Sequence, residues 1–232
     1  MGNRLLAALR VVDRGLLEPH LKVVALRRGQ VLFEPGDDVT MTHFPCRVTM
    51  ASLQVVTSSG REIEAATVGR EGAIGGLVSA GAKPAFGRAV VQAPGAALLI
   101  ETARLEDAKN RSPAVGDLFD RYADTVVAQL MQSIACNALH DIEERACRWL
   151  LAAHDRTGDH LILLTQESLA EMLGVQRTSV TAVSRALQAK GLIRYRRGRV
   201  EVLDRAGLER SACECYRAVE DHFARLLPEM AE

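Results

Sequence analysis

Residues 165–202 constrain the fold more than any other part of this chain. Apolar residues recur at helical spacing on both sides of Gly174, a residue type that permits the left-handed turn between two short helices. Two brief β-branched runs then flank Gly198, as in a tight hairpin. Two crossed helices and a hairpin bury a small core only by packing on one another. We therefore predict a C-terminal helix-turn-helix with a β-hairpin wing.

The charge of this segment is strongly one-sided. Between residues 176 and 200 there are seven basic side chains and no acidic one, although the whole chain has 29 of each sign. A local positive face of this kind displaces counterions from phosphates. The alternative is a small domain whose charges only keep it soluble, but such a surface would mix acidic with basic residues. The pattern favours binding to double-stranded DNA.

The second helix of the pair, predicted over residues 176–190, should read the DNA. Val180, Val183 and Leu187 fall on one face, which turns the opposite face outward. Candidate base contacts on the outward face are Arg177, Thr178, Thr181 and Arg185, of which an arginine can bond a guanine edge. Candidate phosphate contacts are Gln176, Ser179 and Thr165, and the wing residues Arg196, Arg197 and Arg199 should add affinity without reading sequence. Thr165 also stands where it can cap the first helix.

The N-terminal part has a different residue pattern, with one helical segment followed by short β-branched runs. Residues 1–20 carry leucines at helical spacing and end near Pro19, which predicts one short amphipathic helix. Six brief β-branched runs separated by polar turns follow, at 23–26, 30–33, 48–56, 63–68, 89–91 and 97–100. This spacing predicts an antiparallel jelly-roll β-barrel and, with the helices that follow, an α+β fold.

A long helix is predicted to connect the two parts. Its apolar stripe spans about four turns and consists of Phe119, Ala123, Val126, Val127, Leu130 and Ile134. Such a stripe is either internal core or a surface that pairs with a twin helix across a two-fold axis. We favour dimerisation, because the strands before it and the helices after it should fill separate cores. The predicted division is a roll at 1–103, a connecting dimerisation helix at 104–138 and a DNA-binding domain at 139–232.

Several classes of function find no support. No apolar run approaches the ~20 residues that cross a bilayer, and the N-terminus lacks a signal peptide, so a soluble cytoplasmic protein is expected. The one close cysteine pair, Cys213 and Cys215, would point about 200° apart on a helix, which disfavours a disulfide or shared metal. The six histidines form no convincing ligand spacing. We expect no metal, no cofactor and no catalysis, since no carboxylate pair or nucleophile–base spacing stands in the roll.

The chain resembles the Crp/Fnr family of bacterial transcription regulators over nearly its whole length. The resemblance is strongest at residues 164–180, which read LTQESLAEMLGVQRTSV, and at Leu192-Ile193. Residues 29–37 and 68–72 also resemble turns of that family's cyclic-nucleotide-binding-like roll. The resemblance implies a homodimer on a two-fold symmetric operator with half-sites about one helical turn apart, a signal received in the roll, and contact with RNA polymerase.

Departures from the family pattern change what is expected of this chain. Many members carry Arg-Glu-x-x-x-Arg on the reading helix, where this chain has Arg177, Thr178 and Ala182, so a different operator is expected. The positions that hold cyclic AMP in the family correspond here to Gly72-Ala73, Gly87-Arg88 and Leu130-Met131, which lack the sugar-binding carboxylate and the base-reading hydroxyls. Cyclic AMP is therefore not expected. A family-type iron–sulfur cluster is disfavoured too, because only Cys46 precedes residue 136.

The expected function is that of a homodimeric DNA-binding transcription regulator whose roll responds to an unknown small-molecule signal. Candidate effector-pocket residues are Gly72, Ala73, Arg88, Leu130 and Met131. The alternative is an effector-independent regulator whose roll serves only for dimerisation or polymerase contact.

Overall fold

A computed structural model describes residues 2–60, 62–76 and 84–230. The outermost residues of the predicted domains 1–103 and 139–232, at positions 1, 231 and 232, lie outside this range. The strands are β1 (Lys22–Leu26), β2 (Val31–Phe33), β3 (Met41–Pro45), β4 (Met50–Val56), β5 (Glu62–Val68), β6 (Arg88–Ala93), β7 (Gly95–Glu101), β8 (Leu161–Leu163), β9 (Ile193–Arg196) and β10 (Arg199–Val202). The α-helices are α1 (Arg4–Ala7), α2 (Val11–Arg14), α3 (Thr102–Arg111), α4 (Pro113–Leu139), α5 (Ile142–Thr157), α6 (Gln166–Leu173), α7 (Arg177–Ala189), α8 (Arg205–Ser211) and α9 (Cys215–Leu226).

Two antiparallel sheets form the N-terminal roll. One has the strand order β1-β7-β3 and the other β2-β6-β4-β5. Leu26, Val91 and Ala97 pack together from strands of both sheets, which places a shared apolar core between them. The predicted α+β fold with an N-terminal β-roll, a long helix and a C-terminal winged helix-turn-helix is confirmed. Strand β3 was not predicted, because it has no β-branched run and only its burial in the folded chain marks it.

The N-terminal segment is not the single helix that was predicted. Helices α1 and α2 are separated by Arg10, whose backbone is extended, and a 3-10 turn follows at Glu18–His20. Leu5 and Leu6 are buried as expected, but Val12 is exposed. Asn3 caps α1 and also donates hydrogen bonds from its Nδ2 atom to the carbonyls of two distant residues of the roll. These long-range bonds, absent from any local pattern, set where the helix begins.

The connecting segment is two helices, not one. Ser112 is extended and caps α4, accepting a hydrogen bond from the Val115 amide at 3.3 Å, while Pro113 occupies the first turn. Proline removes a backbone donor and clashes with a preceding helical turn, so α3 must end before it. Helix α4 then continues without interruption to Leu139 over 27 residues.

The two predicted domains have contiguous cores. Met50 and Ala93 of the roll belong to the same buried cluster as Trp149 of α5. At the other end of the chain, Leu227 is buried in the cluster that contains the α1 leucines, because α9 packs back along α4. The predicted boundary near residue 139 therefore does not divide two independent cores. Among the described residues, no helix combines the length and apolar composition needed to span a membrane.

Candidate nucleic-acid interface

Helix α6 is fixed by its two ends. The Oγ1 atom of Thr165 accepts a hydrogen bond from the Ser168 amide at 3.1 Å, the N-cap arrangement that the sequence predicted. Gly174 ends the helix with a φ of +65°, a left-handed conformation that costs glycine little. Leu169 and Leu173 are buried between the helices. These contacts set the angle at which α7 leaves the turn.

Helix α7 presents a polar face to the outside. Val180, Val183 and Leu187 are buried, and Gln176 is the N-cap residue. The opposite face brings together most of the predicted contacts: Gln176, Arg177, Thr178 and Arg185 are exposed, and Ser179 and Thr181 are half-buried. Thr181 Oγ1 lies 2.9 Å from Gln166 Oε1, to which it donates, so its hydroxyl already has a protein partner.

The wing is a three-stranded sheet in the order β8-β10-β9. Arg197 and Gly198 have φ values of +42° and +77°, so the hairpin closes through two left-handed residues, as a type I′ turn requires. The Tyr195 hydroxyl donates to the Leu164 carbonyl at 2.7 Å and holds the wing against the start of α6. Arg196, Arg197 and Arg199 are exposed beside the turn. Strand β8 was not predicted; the signal was the run Leu161-Ile162-Leu163.

The seven basic residues of this surface differ in their surroundings. Arg177 Nε lies 3.8 Å from Glu167 Oε2, Arg194 pairs with Glu201 at 2.9 Å, and Lys190 is bonded to Glu143. Across residues 2–60, 62–76 and 84–230, no carboxylate lies within ion-pair distance of the other four, which are Arg185, Arg196, Arg197 and Arg199. These acidic neighbours lie outside residues 176–200, so the charge pattern of that segment does not reveal them. The wing tip and the middle of α7 carry the unneutralised charge.

The turn of the helix pair lies against the roll. Arg28 Nη2 is 3.1 Å from Ser168 Oγ, and Glu62 and Ile63 line a cleft with Gly174. Burial raises the pKa of Glu171 on the same side, and the nearby carboxylates of Glu62 and Glu167 raise it further. In this arrangement the beginning of α7 is bordered by acidic groups of the roll and of α6.

A cavity of about 470 Å³ opens in the roll and brings together three of the five predicted effector residues, Ala73, Arg88 and Leu130. Gly72 faces elsewhere: a Cβ atom there would overlap the hydroxyl of buried Tyr122. Met131 is exposed on α4. Arg88 is bonded to Glu34 at 2.7 Å and to Glu62, so its charge is compensated within the protein.

The predicted dimerisation stripe divides into an inner and an outer part. Phe119 is buried and meets Phe44 of the roll edge-to-face, with ring centroids 6.1 Å apart, so its assignment to a dimer surface was wrong. Val126 is partly buried against the same core, and Ala123 is half-buried. Val127 and Ile134 are 51% and 72% exposed, and Leu130 is half-buried beside them. The beginning of the stripe is buried because this part of α4 packs against the roll.

A winged helix-turn-helix with a basic outer face, carried on a two-sheet roll by a long helix, is the architecture of a DNA-binding regulator. Residues 144–211 match the family model of the Crp-like helix-turn-helix domain. No curated protein matches the chain in sequence.

Solved structures share the fold at low sequence identity. FixK2 from Bradyrhizobium japonicum is 14% identical with a TM-score of 0.71, over 83% of this chain and 98% of FixK2. CLP from Xanthomonas campestris, a c-di-GMP-responsive global regulator, is 16% identical with a TM-score of 0.67, over 84% of this chain and 100% of CLP. A CRP/FNR-family transcriptional regulator from Thermus thermophilus is 20% identical with a TM-score of 0.66, over 82% of this chain and 98% of that regulator. The chain therefore contains a Crp-like helix-turn-helix domain at residues 144–211 and shares the fold of these Crp/Fnr regulators over most of its length, which agrees with the predicted resemblance.

Proposed function

We propose that this regulator is a homodimer that binds a two-fold symmetric operator, with one α7 helix in each of two successive major grooves. The observation that carries the proposal is the combination of an outward polar face on α7 with four arginines, on α7 and the wing, that have no carboxylate within ion-pair distance among the described residues. Arg177 and Thr178 stand at the exposed start of α7, the end that meets base edges in helix-turn-helix proteins. The wing arginines would lie along the phosphates.

The proposed dimer surface is the outer stripe of α4. Val127, Leu130 and Ile134 are spaced by three and then four residues, the heptad spacing that lets two helices pair along a seam. Met131 extends the apolar patch. A large exposed apolar stripe on one helix commonly marks an interface. A two-fold axis along this seam would present two equivalent reading helices.

For the roll we propose an effector site that takes a small, largely uncharged molecule. The cavity is lined mainly by apolar side chains such as Phe33, Leu53 and Ile74, and Arg88 in its lining is already bonded to two carboxylates. An anionic ligand would have to displace these carboxylates. Glu62 links the cavity to the cleft at the turn of the helix pair, because it bonds Arg88 on one side and lines that cleft on the other.

The compensated state of Arg88 also supports the second candidate, an effector-independent regulator whose roll provides only a dimer or RNA polymerase contact. Titration with small apolar molecules, cyclic nucleotides, haem and thiol reagents separates the two. Binding to the roll with a change in operator affinity supports a sensor, whereas unchanged affinity and thermal stability support the second candidate. Both versions place the protein in the cytoplasm and require no catalysis.

The decisive experiment is selection of bound sites from random DNA duplexes with the full-length protein. A palindrome with half-sites about one helical turn apart is expected. A selected site without symmetry would contradict the dimeric reading, and failure to enrich any sequence at low salt would contradict specific DNA binding. Arg177→Ala serves as the matched variant, because its preference should relax at one position of each half-site.

A further inference from the structure

Three cysteines and a histidine converge where the end of α4 meets the link between α8 and α9. One ligand atom from each residue lies within 4.8 Å of the others, and the four residues are Cys136, His140, Cys213 and Cys215. The Sγ atoms of Cys136 and Cys213 are 3.6 Å apart, and Cys215 Sγ is 3.4 Å from His140 Nδ1. A tetrahedral zinc ion with Zn–S near 2.3 Å and Zn–N near 2.0 Å has an S–S edge of about 3.8 Å and an S–N edge of about 3.5 Å. The observed separations are close to those edges.

The local structure brings the four ligands together. Cys136 and His140 are four residues apart at the end of α4, which places them on one face. Cys213 and Cys215 were expected to diverge on a single helix, but α8 ends at Ser211 and α9 begins at Cys215. The backbone turns between them, so both thiols reach the same point. The predicted divergence of Cys213 and Cys215 was therefore wrong, and the four-residue spacing of Cys136 and His140 is the sequence signal that marks this cluster.

The surroundings of the cluster are those of a ligand shell. His140 Nε2 lies 3.2 Å from Glu214 Oε1, which leaves Nδ1 facing the thiols. In metal sites the non-ligating nitrogen of histidine commonly donates to a carboxylate, which fixes the tautomer of the ring. Gln132, one turn before Cys136, donates through Nε2 to Cys215 Sγ at 3.0 Å. A hydrogen bond of this kind stabilises a thiolate.

A basic side chain near the cluster can balance the negative charge of an occupied site. All three cysteines are buried, and three thiolates with one divalent cation carry a net charge of −1. Burial lowers the pKa of the Arg145 guanidinium, the nearby Cys136 and Cys213 oppose that shift, and its Nε atom is buried with no hydrogen-bond partner among the described residues. Arg145 also donates to the carbonyl of Leu173, at the turn of the helix pair. The cluster is thus linked to the DNA-binding elements.

We propose that Cys136, His140, Cys213 and Cys215 bind one zinc ion in a closed tetrahedral site. Binding would release three thiol protons, with no change of oxidation state. Four protein ligands leave no open position, so the ion is structural and holds the α8–α9 link on the end of α4. An iron–sulfur cluster fits less well, because iron and sulfide atoms between the cysteines would hold their sulfurs farther apart.

The test is the metal content of the full-length protein purified under reducing conditions. Approximately one zinc per chain is expected to survive gel filtration, and Cys213→Ser and His140→Ala should reduce it at least about tenfold. Cys147→Ser is the matched control, since Cys147 is buried in the helix-turn-helix core outside the cluster, and it should retain the metal. Equal zinc in the wild type and in both cluster variants would overturn the assignment.

X-ray absorption on the wild type keeps the test independent of whether the variants fold. Three sulfur ligands near 2.3 Å and one nitrogen near 2.0 Å are expected around zinc. Wild-type protein that takes up no zinc on reconstitution, or zinc with only oxygen and nitrogen ligands, would refute the proposal. A disulfide between Cys136 and Cys213 in protein purified with reductant would refute it as well.

Discussion

The indole Nε1 of Trp149 donates a hydrogen bond of 2.8 Å to Oε1 of Glu64, joining α5 of the DNA-binding part to β5 of the roll. Thr67 donates to the same oxygen at 2.8 Å, whereas the second oxygen, Oε2, is buried and has no hydrogen-bond partner among the described residues. Burial raises the pKa of Glu64, although these two hydrogen bonds oppose the shift. A titratable group therefore lies between the reading module and the roll.

This pKa shift predicts a pH-dependent stability. The folded protein holds the Glu64 proton more tightly than the unfolded chain, so the contribution of Glu64 is fully present below the ordinary pKa near 4.5 and is lost as pH rises through the raised value. Glu64→Gln should remove that loss, and its melting temperature relative to wild type should increase from about pH 5 to about pH 8. Trp149→Phe should enlarge the loss of stability with rising pH, because it removes a hydrogen bond that favours the charged form of Glu64. Parallel melting curves for wild type and Glu64→Gln would contradict this account.

Arg177 should contribute sequence preference. It is exposed at the start of α7, where its Nε atom lies 3.8 Å from Oε2 of the exposed Glu167. Arg177→Ala should cost about 1 to 3 kcal/mol on the selected operator and relax preference at one base position. Competition binding against single-base variants of the operator measures this, with Arg104→Ala on α3 as the control. An equal loss on every sequence would assign Arg177 to the phosphates instead.

The wing arginines should contribute affinity without preference. Replacing Arg196, Arg197 and Arg199 with alanine should weaken binding to all duplexes alike, because contacts to phosphate release counterions regardless of sequence. The slope of log affinity against log salt should fall by up to about 3, or ~0.9 for each lost phosphate contact. Titrations at several salt concentrations measure the slope. An unchanged slope would place the wing away from the DNA.

Ile134 should be essential for the dimer. It is 72% exposed on α4, and Ile134→Lys would place a charge in the proposed seam. The variant should sediment as a monomer and lose operator affinity by about 100-fold, since two linked half-site contacts become one. Val12→Lys is a matched control, because Val12 is also 72% exposed but lies on α2. Persistence of the dimer in the Ile134 variant would exclude this seam.

Thr165 should contribute to stability as well as position. Its Oγ1 accepts from the Ser168 amide, so the hydroxyl expected to hold a phosphate is already used as a helix cap. Thr165→Ala should lower the free energy of unfolding by about 1 kcal/mol, and Thr165→Ser should restore most of it. Urea denaturation measures both. If Thr165→Ala leaves the free energy of unfolding unchanged but weakens DNA binding, Thr165 contacts a phosphate instead.

Local pattern was sufficient for the elements of the reading module. Val180, Val183 and Leu187 share one face at helical spacing, and the left-handed turn at Gly174 favours a residue without a Cβ atom, so both features are visible in the sequence. Local pattern did not predict burial where it depends on contacts with a distant part of the chain. Phe119 and Ile134 share one apolar stripe, yet Phe119 packs against Phe44 of the roll whereas Ile134 is exposed to solvent, and only the packing of α4 on the roll decides which is which.

The sequence by itself determined the α+β class, the order of roll, long helix and winged module, and the outward face of α7, since each follows from periodicity and charge within short windows. Only the tertiary structure decided that Glu64 meets Trp149, that Arg88 is compensated by two carboxylates, and that His140 and three cysteines share one point. These contacts join residues far apart in the chain. They depend on how complete elements pack, which no local spacing of residue types encodes.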